Sequence, residues 1–298
     1  MKNSFRKLIP IAAAIGFTFA AAGAQAQSTF DLKDSSGNVV AASATSLDWN
    51  QQGSGVAKGL GPYGTPFTTG TEFEFLYQAN LVAANTQITG LDTTSDGKAD
   101  AGASFEYTIV AKLQEVVTGV AGTGNFQTAQ FGVGGTNATN KVAIYYDSAM
   151  NANTATGTGF TDGTLIALLT IVSDGTESYF TSSGAARGLG SASIHAEIVE
   201  DGDFIDQNYL SGLTEMLFGV DFESNLNYPA NSASTSAFHV GTDSTFTSYN
   251  VGSNDIVFKV DGSSNFAGGA VPEPGTMMLL GMGMLGLVGA SRRKSKKA

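Results

Sequence analysis

The sequence has 298 residues, 38 of them glycine and none cysteine, which excludes a disulfide framework, thiolate catalysis and thiolate metal sites. Eight of the 15 basic residues lie in the first 26 and last 27 positions, whereas 25 of the 26 acidic residues lie between them, so the middle carries about −18 at neutral pH. A field of that sign repels nucleic acid and anionic membrane surfaces and attracts divalent cations.

Met1 to Ala26 has the zones of a secretory signal peptide: basic Lys2, Arg6 and Lys7, an apolar stretch from Leu8 to Ala22, and the small residues of Ala24-Gln25-Ala26 at a cleavage site. Signal peptidase is expected to cut after Ala26, leaving Gln27 as the first residue of an exported protein. Gly53-Ser54-Gly55-Val56-Ala57-Lys58-Gly59 lacks the spacing and the Lys-Ser or Lys-Thr pair of a phosphate loop and reads as a turn-rich loop. Trp49, Tyr63 and Phe67 are candidates for stacking on sugars, with core packing expected for at least two of them.

From Glu72 to Gln78 the residues Phe73, Phe75 and Tyr77 alternate with Glu72, Glu74 and Gln78, the period of a strand with one face on a core. Phe105, Tyr107 and Ile109 repeat the pattern, and all six apolar side chains are expected inside. Between these strands, Asp92-Thr93-Thr94-Ser95-Asp96-Gly97-Lys98-Ala99-Asp100 spaces three carboxylates along a loop, oxygen ligands of the kind calcium takes. Asp92, Asp96 and Asp100 are the candidate metal ligands and calcium the candidate cofactor. An ordinary hairpin turn is the alternative. Asp201-Gly202-Asp203 with Asp206 is a lesser candidate.

Gly119–Gly124 and Asn151–Gly159 read as exposed loops. Lys141–Asp147, Leu165–Val172, Ile194–Val199 and Ile256–Val260 read as further strands, and Asp174-Gly175 as the turn of a hairpin from Leu165–Val172 to Ser178–Phe180. Asp96-Gly97, Asp162-Gly163, Asp201-Gly202 and Asp261-Gly262 repeat that punctuation, while Tyr209–Phe218 could form one short helix interrupted by glycine. His195 is expected to face solvent beside Glu197 rather than serve as a general base, and no Gly-x-Ser-x-Gly elbow is present. The expected fold is all-β, an antiparallel β-sandwich or jelly roll over residues 27–264, with a flexible stalk at 265–271.

Residues 272–298 have three parts: Pro272-Glu273-Pro274, an apolar run of 16 residues from Gly275 to Ala290, and a basic cluster of Arg292, Arg293, Lys294, Lys296 and Lys297. The prolines keep Glu273 extended and accessible to a protease. As a helix the apolar run reaches about 24 Å, short of a hydrocarbon core of about 30 Å, and its five glycines weaken it further. The basic cluster stays cytoplasmic by the positive-inside rule, which puts the acidic middle outside.

This constellation resembles the PEP-CTERM sorting signal of Gram-negative bacteria. The resemblance implies recognition of Pro272-Glu273-Pro274 by an exosortase and transient anchoring in the inner membrane by a short transmembrane helix. Removal of the tail and delivery to the cell surface or extracellular matrix would follow. Leu47-Asp48-Trp49-Asn50-Gln51-Gln52-Gly53-Ser54-Gly55 and Phe75-Leu76-Tyr77-Gln78-Ala79-Asn80-Leu81 are similar to flocculation-associated PEP-CTERM proteins. That similarity implies a non-enzymatic role in holding cells within exopolysaccharide, as in flocs or biofilm. A carbohydrate-binding surface protein with a defined glycan site is the second expectation, and an exported hydrolase the third.

Processing is tested by intact mass. The secreted protein is expected to lack both Met1–Ala26 and Gly275–Ala298, and Glu273→Ala is expected to hold the precursor in the inner membrane. Secreted material that keeps the tail would mark a plain membrane anchor.

Overall fold

A computed structural model of the chain describes residues 29–61, 65–124, 126–182, 188–213, 216–222 and 235–265. The signal-peptide segment with Ala24 and Ala26, the aromatic Tyr63, and the whole tail from Pro272 onward lie outside these residues.

Among the described residues there is no helix. The strands of the first half are β1 (Phe30–Lys33), β2 (Val39–Ala44), β3 (Ser46–Lys58), β4 (Glu72–Ala84), β5 (Thr86–Gln87), β6 (Glu106–Thr123), β7 (Phe126–Val133) and β8 (Lys141–Asp147). Those of the second half are β9 (Thr164–Ser182), β10 (Gly188–Glu197), β11 (Phe204–Ile205), β12 (Leu210–Ser211), β13 (Met216–Phe222), β14 (Ala237–Phe238), β15 (Tyr249–Asn250) and β16 (Ile256–Asn265).

The long strands pair antiparallel with their sequence neighbours, β3 with β4, β4 with β6, β9 with β10, β10 with β13 and β13 with β16. β16 then pairs with β3 and closes the ring. Between β6 and β9 the row is shared. β8 bridges Glu106–Lys112 to Thr164–Thr170, and β7 bridges the far half of β6 to Thr128's partner Thr181 and its neighbours. The result is an eight-position up-and-down barrel rather than two stacked sheets. The alternation that suggested a sandwich is common to both, because each needs one face of every strand on a core.

The inner face holds the main core. Phe73, Phe75, Tyr77, Phe105, Tyr107 and Ile109 are all buried in it, as their alternation predicts. One end is capped by the small sheet β12-β1-β2, which adds Phe30, Leu32, Ala44 and Leu210 to that core, and Tyr107 donates its hydroxyl to the Lys33 carbonyl at 2.6 Å. At the other end Phe67, Phe131 and Phe180 meet edge to face with centroids 6.0 and 6.2 Å apart. The last strand runs to Asn265, which pairs with Ser46 rather than starting a stalk. The chain therefore enters and leaves the barrel at the capped end. Loops cover parts of the outer face, where Val110, Ala143, Tyr145, Ala152, Phe160 and Phe246 form a second cluster.

Several local expectations change in this setting. Asp174-Gly175 does not turn the chain: β9 continues through it as a bulge, with Val172 opposite His195 and Glu177 opposite Ser193. The Thr176 hydroxyl donates to the Val172 carbonyl and accepts from the His195 amide, so both flanks stay paired to β10 and the pairing overrides the turn signal. Asp261-Gly262 lies inside β16 at another irregularity. Gly97 and Gly202 do mark turns, with φ of 80° and 100°. The helix expected over Tyr209–Phe218 is absent. Gly212, at φ 94°, turns the chain after β12, and Met216–Phe222 supplies the strand between β10 and β16. Gly119 to Thr123, expected as loop, extends β6 in a hairpin with β7.

Gly53 and Gly55 also lie in a strand, β3, not in a loop. A Cβ at Gly53 would sit 2.8 Å from the Val260 carbonyl oxygen, and one at Gly55 would sit 2.8 Å from Val260 Cγ2 and 2.9 Å from the Phe75 ring. These glycines allow close packing between staves of the barrel. Gly55→Val is expected to lower unfolding free energy by about 1–3 kcal/mol through overpacking, read by urea denaturation. A loss below about 0.5 kcal/mol, the scale of a neutral surface change, would show that the closure tolerates a side chain there.

Candidate functional site

Two extra residues in β3 create a polar groove on the barrel wall. Trp49 pairs with Leu81 and Ser54 with Gln78, so four residues of β3 face two of β4. A bulge of this kind swings side chains out of the pleat. Asn50 holds it in place, accepting the Gln52 amide at 2.7 Å and donating to the Thr93 carbonyl at 2.6 Å. The groove beside it has a volume of about 420 Å³ and is lined by Asp48, Trp49, Asn50, Gln51, Val82, Thr93 and Asp261. Burial raises the Asp48 carboxyl above its ordinary range. Trp49 contributes little face to the groove: it is fully buried and donates its indole N–H to Ser264 Oγ at 2.7 Å.

The Asn50–Thr93 bond ties this groove to the loop that carries Asp92, Asp96 and Asp100. Asp100 accepts from the Thr93 amide (3.0 Å), the Thr93 hydroxyl (2.9 Å) and the Thr94 hydroxyl (3.2 Å). These bonds, the Thr93 amide foremost, hold its carboxyl below the ordinary range. Asp92 is 1% exposed, and its Oδ1 accepts the Thr94 amide at 3.3 Å. Burial pushes it up to about 6; the Thr94 amide opposes that shift and the neighbouring Asp100 carboxylate adds to it. Asp96 stands apart, exposed on its turn, where it accepts the Lys98 amide at 3.0 Å. The loop therefore brings Asp92 and Asp100 together and leaves Asp96 out. Among the described residues, no group of three or more His, Asp or Glu side chains is placed to hold a metal ion.

A residue without any signal in the sequence joins this region. Glu106 begins β6 as the polar partner in Phe105-Glu106-Tyr107, yet it is completely buried. Its Oε1 accepts the amides of Asn151 (2.8 Å) and Ala152 (3.2 Å). Burial pushes its carboxyl up to about 8, opposed by those two amides and reinforced by the charges of Asp92 and Asp147. Alternation correctly turns Glu106 away from the barrel interior, but the 151–161 loop covers that outer face.

Other candidates resolve into structural roles. Asp203 receives Lys141 Nζ at 2.6 Å with both groups almost fully buried, and it also accepts from Thr170 Oγ1 at 2.6 Å. Burial alone would raise its carboxyl, but Lys141, Thr170 and two amides outweigh it and hold it low. His195 faces outward, with Nε2 3.1 Å from Glu197 and Nδ1 3.0 Å from the Asp174 carbonyl. His239 is buried and donates Nε2–H to the Tyr77 carbonyl at 2.8 Å; burial lowers its imidazole to about 4. Phe67 is buried in the core, as is Trp49. At the phenylalanine-lined end of the barrel, Glu115 accepts from Ser178 Oγ at 2.5 Å beside a void of about 20 Å³, and burial pushes its carboxyl up to about 7.

Comparison with known proteins identifies the PEP-CTERM protein-sorting motif at residues 270–294. That motif implies an exported protein, recognised and processed by an exosortase and delivered to the cell surface. The match covers the tail alone and does not bear on the similarity of the middle region to flocculation-associated proteins. No curated protein and no solved structure matches the chain.

The Glu106 carboxyl sets a pH dependence whose sign follows from its raised value. The folded chain keeps this proton where the unfolded chain has released it. The stability it contributes is full below pH 4.5 and is lost as pH rises through about 8. In chelator, unfolding free energy is expected to fall from pH 5 to 8, by up to about 1.4 kcal/mol per unit from this group. Glu106→Gln stays neutral and is expected to flatten the slope. An unchanged slope in denaturant titrations across that range would show that Glu106 ionises freely in the native state.

Proposed function

We propose that this chain is a non-enzymatic matrix or surface protein that promotes cell aggregation within exopolysaccharide after an exosortase removes its tail. The observation that carries the reading is the sorting motif at residues 270–294, joined to an ectodomain of about −18 charge. In this reading signal peptidase releases the N-terminus and the short apolar helix parks the protein in the inner membrane. Exosortase then frees it into a matrix of extracellular polymer. The barrel suits such a setting because closure leaves no long strand edge to template aggregation of the protein with itself.

A second reading, recognition of a defined glycan, is supported by the groove of about 420 Å³ and its convergent Asp48, Asn50, Gln51, Thr93 and Asp261. That volume is in the range of small-ligand sites, and amides with carboxylates are the groups that hydrogen-bond sugar hydroxyls. Gln51 is exposed and Asn50 maintains the bulge, so Gln51→Ala probes binding without disturbing the strand.

Deletion of the gene is expected to reduce aggregation and the protein content of the matrix. The intact gene should restore both, and a copy carrying Glu273→Ala should restore neither. Wild-type aggregation in the deletion strain would refute the matrix role. If Gln51→Ala abolishes binding to purified exopolysaccharide while leaving thermal stability unchanged, the groove is the contact point.

A further inference from the structure

Asp92 Oδ2 and Glu106 Oε2, buried beside the start of β6, have no hydrogen-bond partner among the described residues, and neither do Asn151 Oδ1 and Thr154 Oγ1 in the segment that covers them. The placement of the two carboxylates follows from the backbone. Leu91 and Phe105 form a parallel bridge, and the Asp92 amide donates to the Phe105 carbonyl at 2.8 Å. Both apolar side chains point into the main core. Alternation therefore puts the next residues, Asp92 and Glu106, side by side on the opposite face. The 151–154 segment lies over that face. Its first two amides bind Glu106 Oε1, the Ala152 carbonyl accepts the Gly97 amide at 2.9 Å, and the Thr154 amide donates to the Ser95 carbonyl at 3.0 Å.

Native chains pair their buried polar atoms, and each one left without a partner costs free energy. Two neighbouring buried carboxylates cost more, unless protons or a cation neutralise them. We propose that Asp92 and Glu106 bind one divalent cation of the hard, oxygen-seeking class, with water and oxygens of the covering 151–154 segment completing the shell. The donor set is all oxygen, with neither thiolate nor imidazole, which disfavours zinc and copper. An irregular set of side-chain oxygens suits the six to eight flexible ligands of calcium better than the strict octahedron of magnesium.

This site differs from the loop read in the sequence. Glu106, 14 residues further on than Asp92, replaces Asp96, whose carboxylate is occupied at an exposed turn. Asp100 remains beside Asp92 as supporting charge, with its oxygens engaged by Thr93 and Thr94. The other charge facing this pair is Asp147, across from Glu106 in β8.

The test uses the exported protein, stripped with chelator and then dialysed against calcium at pH 7. One bound calcium per chain is expected by elemental analysis. The melting temperature should rise by about 5 °C or more, and sodium at matched ionic strength should not reproduce the rise. Glu106→Gln and Asp92→Asn should each weaken binding by roughly tenfold or more while keeping the β-rich circular dichroism spectrum; Asp96→Ala should bind as the wild type does. Absence of retained calcium, or equal stabilisation by sodium, overturns the proposal. So does full binding by both Glu106→Gln and Asp92→Asn, or its loss in Asp96→Ala, which would move the site to the exposed turn. If both carboxylate variants fail to fold, wild-type stoichiometry and the sodium comparison decide: one bound calcium with a stabilisation that sodium does not reproduce supports the site, and either result missing refutes it.

Discussion

Closure of the hydrogen-bonded ring is the constraint on which the rest of this structure depends. When β16 pairs with β3, the long staves acquire neighbours on both sides, and their backbone donors and acceptors are satisfied without a free edge. The two faces of each strand then become inside and outside rather than core and solvent. An eight-position ring is just wide enough for side chains to fill. Aromatic residues do so here, with Tyr107 and Tyr146 centroids 5.2 Å apart near the capped end and Phe73 and Phe131 5.1 Å apart near the other.

Closure also dictates where small residues and irregularities must occur. Gly53 and Gly55 sit where Val260 and Phe75 come too close for a side chain. The bulges at Asn50–Gly53 and at Asp174–Thr176 absorb extra residues without breaking the ladder, because a neighbouring strand pairs both flanks. One of these bulges aims Asn50 at the Thr93 carbonyl and so couples the barrel wall to the acidic loop. The polar groove is thus a consequence of strand register, built by side chains that are far apart in the chain.

The outer face carries the unusual electrostatics. Covering it with the 151–161 loop and with the β14–β15 hairpin places Glu106, Gln78 and His239 in surroundings their sequence context does not suggest. Gln78 is satisfied there, donating to the Ala237 carbonyl at 3.2 Å and accepting from the His239 amide at 3.0 Å. Asp92 and Glu106 are satisfied only in part, which sets them apart from the Lys141–Asp203 pair, where a buried cation neutralises a buried anion. It is this contrast, a neighbouring pair of half-satisfied carboxylates with no buried cationic side chain beside it among the described residues, on which the proposed cation site rests.

From the sequence alone came the address and the inner face. The sorting signal is legible because its three parts act through local properties: extended prolines, an apolar run and a basic cluster. The burial of Phe73, Phe75, Tyr77, Phe105, Tyr107 and Ile109 is legible because strand periodicity is a local rule. Choosing between a sandwich and a barrel required the pairing of β16 with β3, residues some 200 positions apart, and no local rule encodes that contact. The same limit applies to the site. Asp92 and Asp100 meet within one loop and could be grouped from spacing, whereas Glu106 looked like a solvent-facing residue until the fold laid Asn151 and Ala152 across it. Alternation reports which face a side chain takes, and only the tertiary structure decides what covers that face.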